Sequence, residues 1–134
     1  MGSIAQIRRV CLCAGILLSS FGAAYATCAP DVVDLRGAWG RATFTVEVAD
    51  TDVLRGVGLM NRESMPRGAG MLFVYDSPRP VAFWMRNTLI PLDMIFIGPD
   101  GVVRRVHENA IPLDETTIQG WPGIQHVLEI NVGL

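Results

Sequence analysis

Phe83-Trp84-Met85-Arg86-Asn87-Thr88-Leu89-Ile90-Pro91-Leu92-Asp93 is the stretch whose reading decides the fold. Val81, Phe83, Met85 and Asn87 alternate with Ala82, Trp84, Arg86 and Thr88, a two-residue period rich in aromatics that predicts a strand. Pro91 has no N–H to donate and biases Ile90 towards an extended backbone. A second strand, Leu92 to Ile97, follows, with apolar residues on both faces, so the spacing predicts a strand covered on both sides. Asp93 shares a face with Ile95 and Ile97 and is expected to be partly buried, where a carboxylate needs partners. Arg86, Arg62, or the backbone and side chains of Asn87 and Thr88 are the candidates. Two readings stay open. Asp93 and Thr88 close an irregular turn through side chain–backbone hydrogen bonds, or the joint is a polar pocket in which Trp84 stacks on a ligand that Asn87 and Asp93 hydrogen-bond.

Working outward, Phe44, Val46 and Val48 alternate with polar neighbours and predict a strand with one wet face. Asp50 or Thr51 offers an N-cap, and Val53, Val57 and Met60 recur at helical spacing. Gly56 and Gly58 weaken that helix by up to about 1 kcal/mol each relative to Ala. Ser64 to Gly70 reads as a loop, Met71 to Tyr75 as a short strand and Asp76 to Pro80 as a turn. Gly98-Pro99-Asp100-Gly101 signals a hairpin with Val102 to Glu108 as the returning strand. Ile111 to Pro122 is irregular, and Ile124 to Val132 is a final strand. The sum is a mainly β domain with one short helix (α+β), a small antiparallel barrel-like sheet over residues 43–134.

Residues 1–26 read as a signal peptide. Arg8 and Arg9 precede an uncharged apolar run, Val10 to Phe21, and Ala24-Tyr25-Ala26 supplies a small-x-small cleavage site. The expected location is secreted or periplasmic, with no integral membrane span after cleavage. Residues 27–42 read as a tether without sustained periodicity. All eleven basic residues are arginine; two leave with the signal, so the mature charge is nine against thirteen acidic residues, or −4. No basic stripe interleaves with aromatics, which argues against nucleic acid as a partner. Cys28 is the single cysteine beyond the cut, so no intramolecular disulfide forms.

Arg55 to Arg62, Gly70 to Val74, Phe83 to Asp93 with Phe96, and Val127-Leu128-Glu129 together resemble, in order, the bacterial and archaeal family known as domain of unknown function 192. The resemblance spans residues 43–131. It implies a small β-rich domain, often secreted, and carries no established activity, cofactor or catalytic residue. Members usually continue past the Val-Leu-Glu strand, whereas this chain stops at Leu134. That departure predicts an uncovered sheet edge at 124–132 and self-association through it.

For chemistry, Asp93, Asp76, Glu129 and Glu108 are available carboxylates, but sequence does not show two of them facing one cleft. His107 and His126 lack a second ligand at zinc spacing, and the methionines that would suit Cu(I) sit at core positions, so no metal and no cofactor is expected. The preferred reading is a non-catalytic binding module for a small polar or carbohydrate-like ligand, using Asp93, Trp84, Asn87, Thr88 and Arg62. The alternatives are an envelope-associated structural domain, or an enzyme acting on envelope polymers with Asp93 as acid or base. Intact-mass measurement of protein from an extracytoplasmic fraction should show loss of residues 1–26 and a chain starting at Thr27; full-length chain held in the inner membrane would contradict the leader assignment.

Overall fold

The computed structural model describes residues 31–134; the leader, its cleavage site, Cys28 and the start of the tether lie outside the described residues. Eight strands and one helix follow in the order β1 (Val32–Gly37), β2 (Gly40–Ala49), α1 (Asp52–Val57), β3 (Ala69–Arg79), β4 (Ala82–Phe83), β5 (Leu92–Ile97), β6 (Val103–Ala110), β7 (Ile118–Gln119) and β8 (Ile124–Asn131). Six of them form one strongly curled, half-barrel sheet in the order β1-β2-β3-β8-β5-β6, and β4 pairs with β7 in a separate two-stranded ribbon. The domain is therefore mainly β with a single short helix, as the periodicities indicate.

The sheet is mixed rather than purely antiparallel. β2 and β3 run parallel, with Thr45 opposite Ala69 and Ala49 opposite Phe73. Parallel neighbours need a long crossover, and α1 with the 58–68 loop supplies it. Residues 32–42, expected as tether, instead form β1 and the start of β2, an antiparallel hairpin from Val32 opposite Thr45 to Gly37 opposite Gly40. Val33 and Leu35 pack on the core from this hairpin, so the alternation there was genuine strand pattern broken only by Gly37 and Gly40.

The expected strand over Val81 to Thr88 is shorter. Only Ala82–Phe83 is strand. The chain then turns, with Thr88 N–H donating to the Met85 carbonyl at 3.0 Å and Asn87 at φ 54°, a left-handed third turn position that Asn tolerates. Val81 and Met85 are nonetheless buried. The alternation holds for side chains from Val81 to Arg86 although the backbone has left the ladder, with Met85 N–H donating to the Asp114 carbonyl at 2.8 Å, and it fails at Asn87, which is exposed, and Thr88, which is buried.

α1 is also shorter than its apolar spacing suggests. Thr51 caps it, its hydroxyl accepting from Leu54 N–H at 3.2 Å, and Gly58 ends it at φ 50°. Val53, Leu54 and Val57 are exposed, and the residue that reaches the core is Leu59. Arg55 ties the helix to the sheet: its Nη1 donates to the carbonyls of Asp50 at 2.7 Å and Val74 at 2.6 Å.

The core lies on both faces of the sheet. Met71, Phe73, Leu92, Met94, Phe96 and Val127 lie on one face, beneath Leu59, Val81, Met85 and Ile118 from the helix and loops. Phe44, Val46, Ile95, Ile97, Leu128 and Ile130 fill the other. β8 lies at the centre, paired with β3 on one side and β5 on the other. The 124–132 strand is therefore not an edge, and the uncovered edge expected there is absent among the described residues. The edges are β1 and β6, where Asp34, Arg36, Arg104 and Arg105 add charge that discourages further pairing.

Asp93 locks the end of this sheet. The β5–β6 register slips between Leu92, opposite Ala110, and Met94, opposite His107. Glu108 and Asn109 together face Asp93 across that slip, a bulge with Asn109 at φ 54°. Asp93 Oδ1 accepts from Asn109 N–H at 2.7 Å and Oδ2 from Gly133 N–H at 3.1 Å. The expected partners Arg86, Arg62, Asn87 and Thr88 are not the ones used; the bulge and the final turn offer orphan N–H groups in their place. Asp93→Ala should lower unfolding stability by on the order of 2–3 kcal/mol in urea titrations, with Asp93→Asn losing less; an unchanged midpoint for both would show that the clasp does not hold the sheet.

Candidate functional site

β8 places Gln125, Val127 and Glu129 on one face and His126, Leu128 and Ile130 on the other. Glu129 pairs across the sheet with Met71 of β3 and Met94 of β5. Its side chain thus enters the core face between two thioethers, and the residue is 5% exposed. β3 passes so close that a Cβ on Gly70 would lie 2.6 Å from the Glu129 carbonyl; only glycine fits that position.

A cavity of about 170 Å³ opens over this carboxyl, walled by Arg55, Tyr75, Phe83, Trp84, Thr88 and Glu129 among others. No side-chain oxygen or nitrogen among the described residues is both sealed from solvent and without a partner. No described group hydrogen-bonds the Glu129 carboxyl, so its oxygens meet the cavity. Burial pushes this carboxyl up to about 8, because the charged form is poorly solvated there. At neutral pH it is mainly the uncharged acid, a hydrogen-bond donor.

The other walls are built from packing. Phe83 stands edge-on to Phe73 at 5.0 Å and to Phe96 at 6.0 Å. Tyr75 lies under two guanidinium groups, Arg55 at 5.0 Å and Arg79 at 5.8 Å from its ring centroid. Burial raises the Tyr75 hydroxyl above its ordinary value, outweighing those two cations. Trp84 is 46% exposed at the rim, with Arg86 at 5.4 Å over its ring. Thr88 is buried, its hydroxyl donating to the Arg86 carbonyl at 3.3 Å.

Of the residues singled out from sequence, Trp84 and Thr88 line the cavity. Asn87 stands beside it, its amide 3.9 Å from the sulfur of Met60, another wall residue. Arg62 does not face it. Arg62 forms a two-pronged ion pair with Glu47, with Nη2 to Oε2 at 2.7 Å, which lowers the Glu47 carboxyl and raises the guanidinium. Asp93 faces away as well. It pairs with Ile130, and Met94 pairs with Glu129, so the two carboxyls lie on opposite faces of the sheet and cannot flank one bond. Of the four carboxylates named from sequence, Glu129 is the one that lines the cavity. The signal that finds it is the one that drew attention to Asp93: an acid inside an unbroken apolar strand, Val127-Leu128-Glu129-Ile130.

A larger hollow of about 390 Å³ lies between β6 and the 111–119 segment, touching Arg105, His107, Asn109, Asp114 and Gln119. Two of its polar groups are engaged locally, Arg105 with the Gln119 carbonyl and Asp114 with Thr116 N–H at 2.8 Å, and its other acid, Glu108, is exposed to solvent. Volume favours this hollow; the unpartnered acid favours the smaller cavity, and chemistry decides for the latter. No group of three or more His, Cys, Asp or Glu among the described residues is placed to hold a metal ion.

With fold and cavity in place, the comparisons are consistent. The model of the DUF192 family, "Uncharacterized ACR", matches residues 33–134. The chain belongs to this family. A protein of unknown function from Novosphingobium aromaticivorans has a similar crystal structure, with TM-score 0.73 and 42% identity over 76% of this chain and 72% of that one. A Sinorhizobium meliloti protein, provisionally titled a transcription regulator, gives TM-score 0.74 and 45% identity over 76% of this chain and 80% of that one. No curated protein matches.

The buried acid makes stability depend on pH. The folded state holds the Glu129 proton up to about 8, whereas the ordinary value is 4.5. Its contribution is full below the ordinary value and is lost as pH rises towards 8, by about 1.4 kcal/mol for each pH unit crossed. Glu129→Gln should remove this slope and melt higher than the parent above neutrality; parallel melting-temperature profiles for the two would exclude a buried acid.

Proposed function

We propose that the protein is a secreted or periplasmic binding module that takes a small polar ligand in the Glu129 cavity. The observation that carries this reading is the unpartnered, buried carboxyl of Glu129 opening into a walled space. An acid enclosed in an apolar core is costly to keep, and groups kept at a cost in stability are typical of functional sites. A few polar groups converging on an apolar, aromatic wall is the usual make-up of a ligand site. At about 170 Å³ the space is below the usual ~300–1,000 Å³ of drug-sized sites, so the ligand is small or enters by one end. Trp84 at the rim offers a flat apolar surface for it. The leader-like first 26 residues support an extracytoplasmic place of action.

The label carried by the Sinorhizobium relative suggests nucleic acid instead. The formal net charge of −2 gives no electrostatic footprint for it, and the helix among the described residues has six residues. A second reading has one observation in its favour. An acid kept protonated near neutral pH is poised as a general acid, so the enzymatic alternative passes from Asp93 to Glu129.

A thermal-shift screen of small polar solutes, monosaccharides included, tests the proposal. A ligand at about a hundred times its Kd stabilises the folded protein by about 2.7 kcal/mol. Trp84→Ala should weaken that response with little loss of stability, because the ring is half-exposed. A response equal in the parent, Trp84→Ala and Glu129→Gln would place the ligand elsewhere, and release of product on prolonged incubation would favour the enzyme.

A further inference from the structure

We propose that the Glu129 cavity selects small ligands bearing a carboxylate, which the Arg55 guanidinium meets with its charge and the Glu129 carboxyl meets by donating a hydrogen bond. The proposal rests on the cavity being the ligand site, and it adds the charge and functional group of the ligand.

Three observations converge on an anion. The cations around the cavity are guanidinium groups: Arg55 and Arg79 over the Tyr75 ring and Arg86 over Trp84. Two of the wall's rings, Tyr75 and Trp84, thus already engage cations, and an incoming ammonium group would meet like charge. The one carboxylate paired with Arg55 is Asp52, at 2.6 Å, with its side chain 96% exposed. Water screens so exposed a charge, while the Arg55 side chain is only 14% exposed.

Arg55 also has donors to spare. A guanidinium carries five N–H groups. Three contacts engage Arg55 among the described residues, to the Asp50 and Val74 carbonyls and to Asp52. Two N–H groups remain, on a side chain that lines the cavity. These contacts hold the guanidinium to the helix start and to β3, so it is positioned before any ligand arrives.

Glu129 supplies the complementary group. Flanked by Met71 and Met94, it is favoured as the uncharged acid and lacks an acceptor for its proton. A ligand carboxylate is the strongest small acceptor for such a donor, since hydrogen bonds to an ionised acceptor are shorter and about twice as strong as neutral ones. A neutral sugar offers Arg55 an acceptor without charge; a carboxylate answers both the donor of Glu129 and the charge of Arg55.

The groups that face Glu129 make its titration legible. Tyr75 comes from β3 and Arg55 from α1; the 82–88 segment contributes Phe83, Trp84 and Thr88, none of which titrates. Tyr75 is pushed upwards by burial and keeps its proton through this range. His126 lies on the opposite face of β8, and His107 lies in the other hollow. Between about pH 6 and about pH 9, Glu129 is therefore the cavity group that changes charge, and in its ionised form it repels a carboxylate.

The test uses three small molecules that share an ethyl tail and differ in the charge of the head group: propionate, propionamide and n-propylammonium. Binding to the purified protein is followed by calorimetry and by NMR shifts of the Trp84 and Thr88 signals. Propionate should bind in preference to the other two. It should bind about tenfold more weakly at about pH 9 than at about pH 6, because the acid form of a group titrating at about 8 falls to roughly a tenth there. Glu129→Gln keeps a neutral donor of similar shape, so it should retain propionate binding and lose the pH dependence. Arg55→Gln should abolish the preference for propionate over propionamide.

Preference for propylammonium, with affinity rising as pH rises, would overturn the anion assignment and leave the cavity as a site for cations. Equal binding of propionate and propionamide, or a pH dependence that survives in Glu129→Gln, would also overturn it. No response of the cavity signals to any of the three at tens of millimolar would overturn the cavity reading itself.

Discussion

The architecture depends on β8 lying between β3 and β5. This strand joins two halves of the sheet that share no other pairing: β1, β2 and β3 on one side, β5 and β6 on the other. Its side chains feed both cores, Ile124 and Val127 on one face, Leu128 and Ile130 on the other. An apolar residue at every position is what such a strand requires. Glu129 breaks that rule inside the buried run Val127–Ile130. An ionised carboxylate there would be costly enough that the side chain holds its proton instead.

Two half-matching acids show how environment separates roles. Asp93 and Glu129 both sit on apolar strands, and both attract notice for the same reason. Asp93 faces two backbone N–H groups, from the Asn109 bulge and from Gly133, and so works as an acceptor that fixes chain geometry. Glu129 faces two methionines and open space and works as a neutral donor. The first has its partners within the fold and the second does not, which is why the functional argument settles on Glu129.

Much of this was readable in the residues. The alternation at Phe44 to Val48, the apolar run Leu92 to Ile97 and the hairpin signal at Gly98 to Gly101 each became the expected strand or turn. The left-handed conformations of Asn61, Asn87 and Asn109 were not legible, because they are set by contacts distant in sequence, such as Asn61 N–H to the Asn87 carbonyl at 2.8 Å. The parallel pairing of β2 with β3 left no local trace, since strand direction is decided by the crossover. The cavity was half legible. Trp84 and Thr88 lie in the stretch that drew attention first, but Arg55, Tyr75 and Glu129 reach it from three other elements. Periodicity places a side chain on a face; it does not say which faces meet. Arg62, a candidate partner for the Asp93 carboxylate, turns instead to Glu47 of β2.

The central position of β8 has a consequence for how the chain is made. β8 follows every other strand in sequence, yet it is the one they close around. A nascent chain that has delivered β1 to β6 holds two incomplete half-sheets, with the facing edges of β3 and β5 unpaired. Closure then waits for Ile124–Asn131 to emerge, and it joins segments far apart along the chain, which makes for slow folding. Until β8 emerges, the two half-sheets stay open. The same open interval leaves the strand edges exposed, so a chaperone that shields extended apolar segments has its longest opportunity before the last strand arrives.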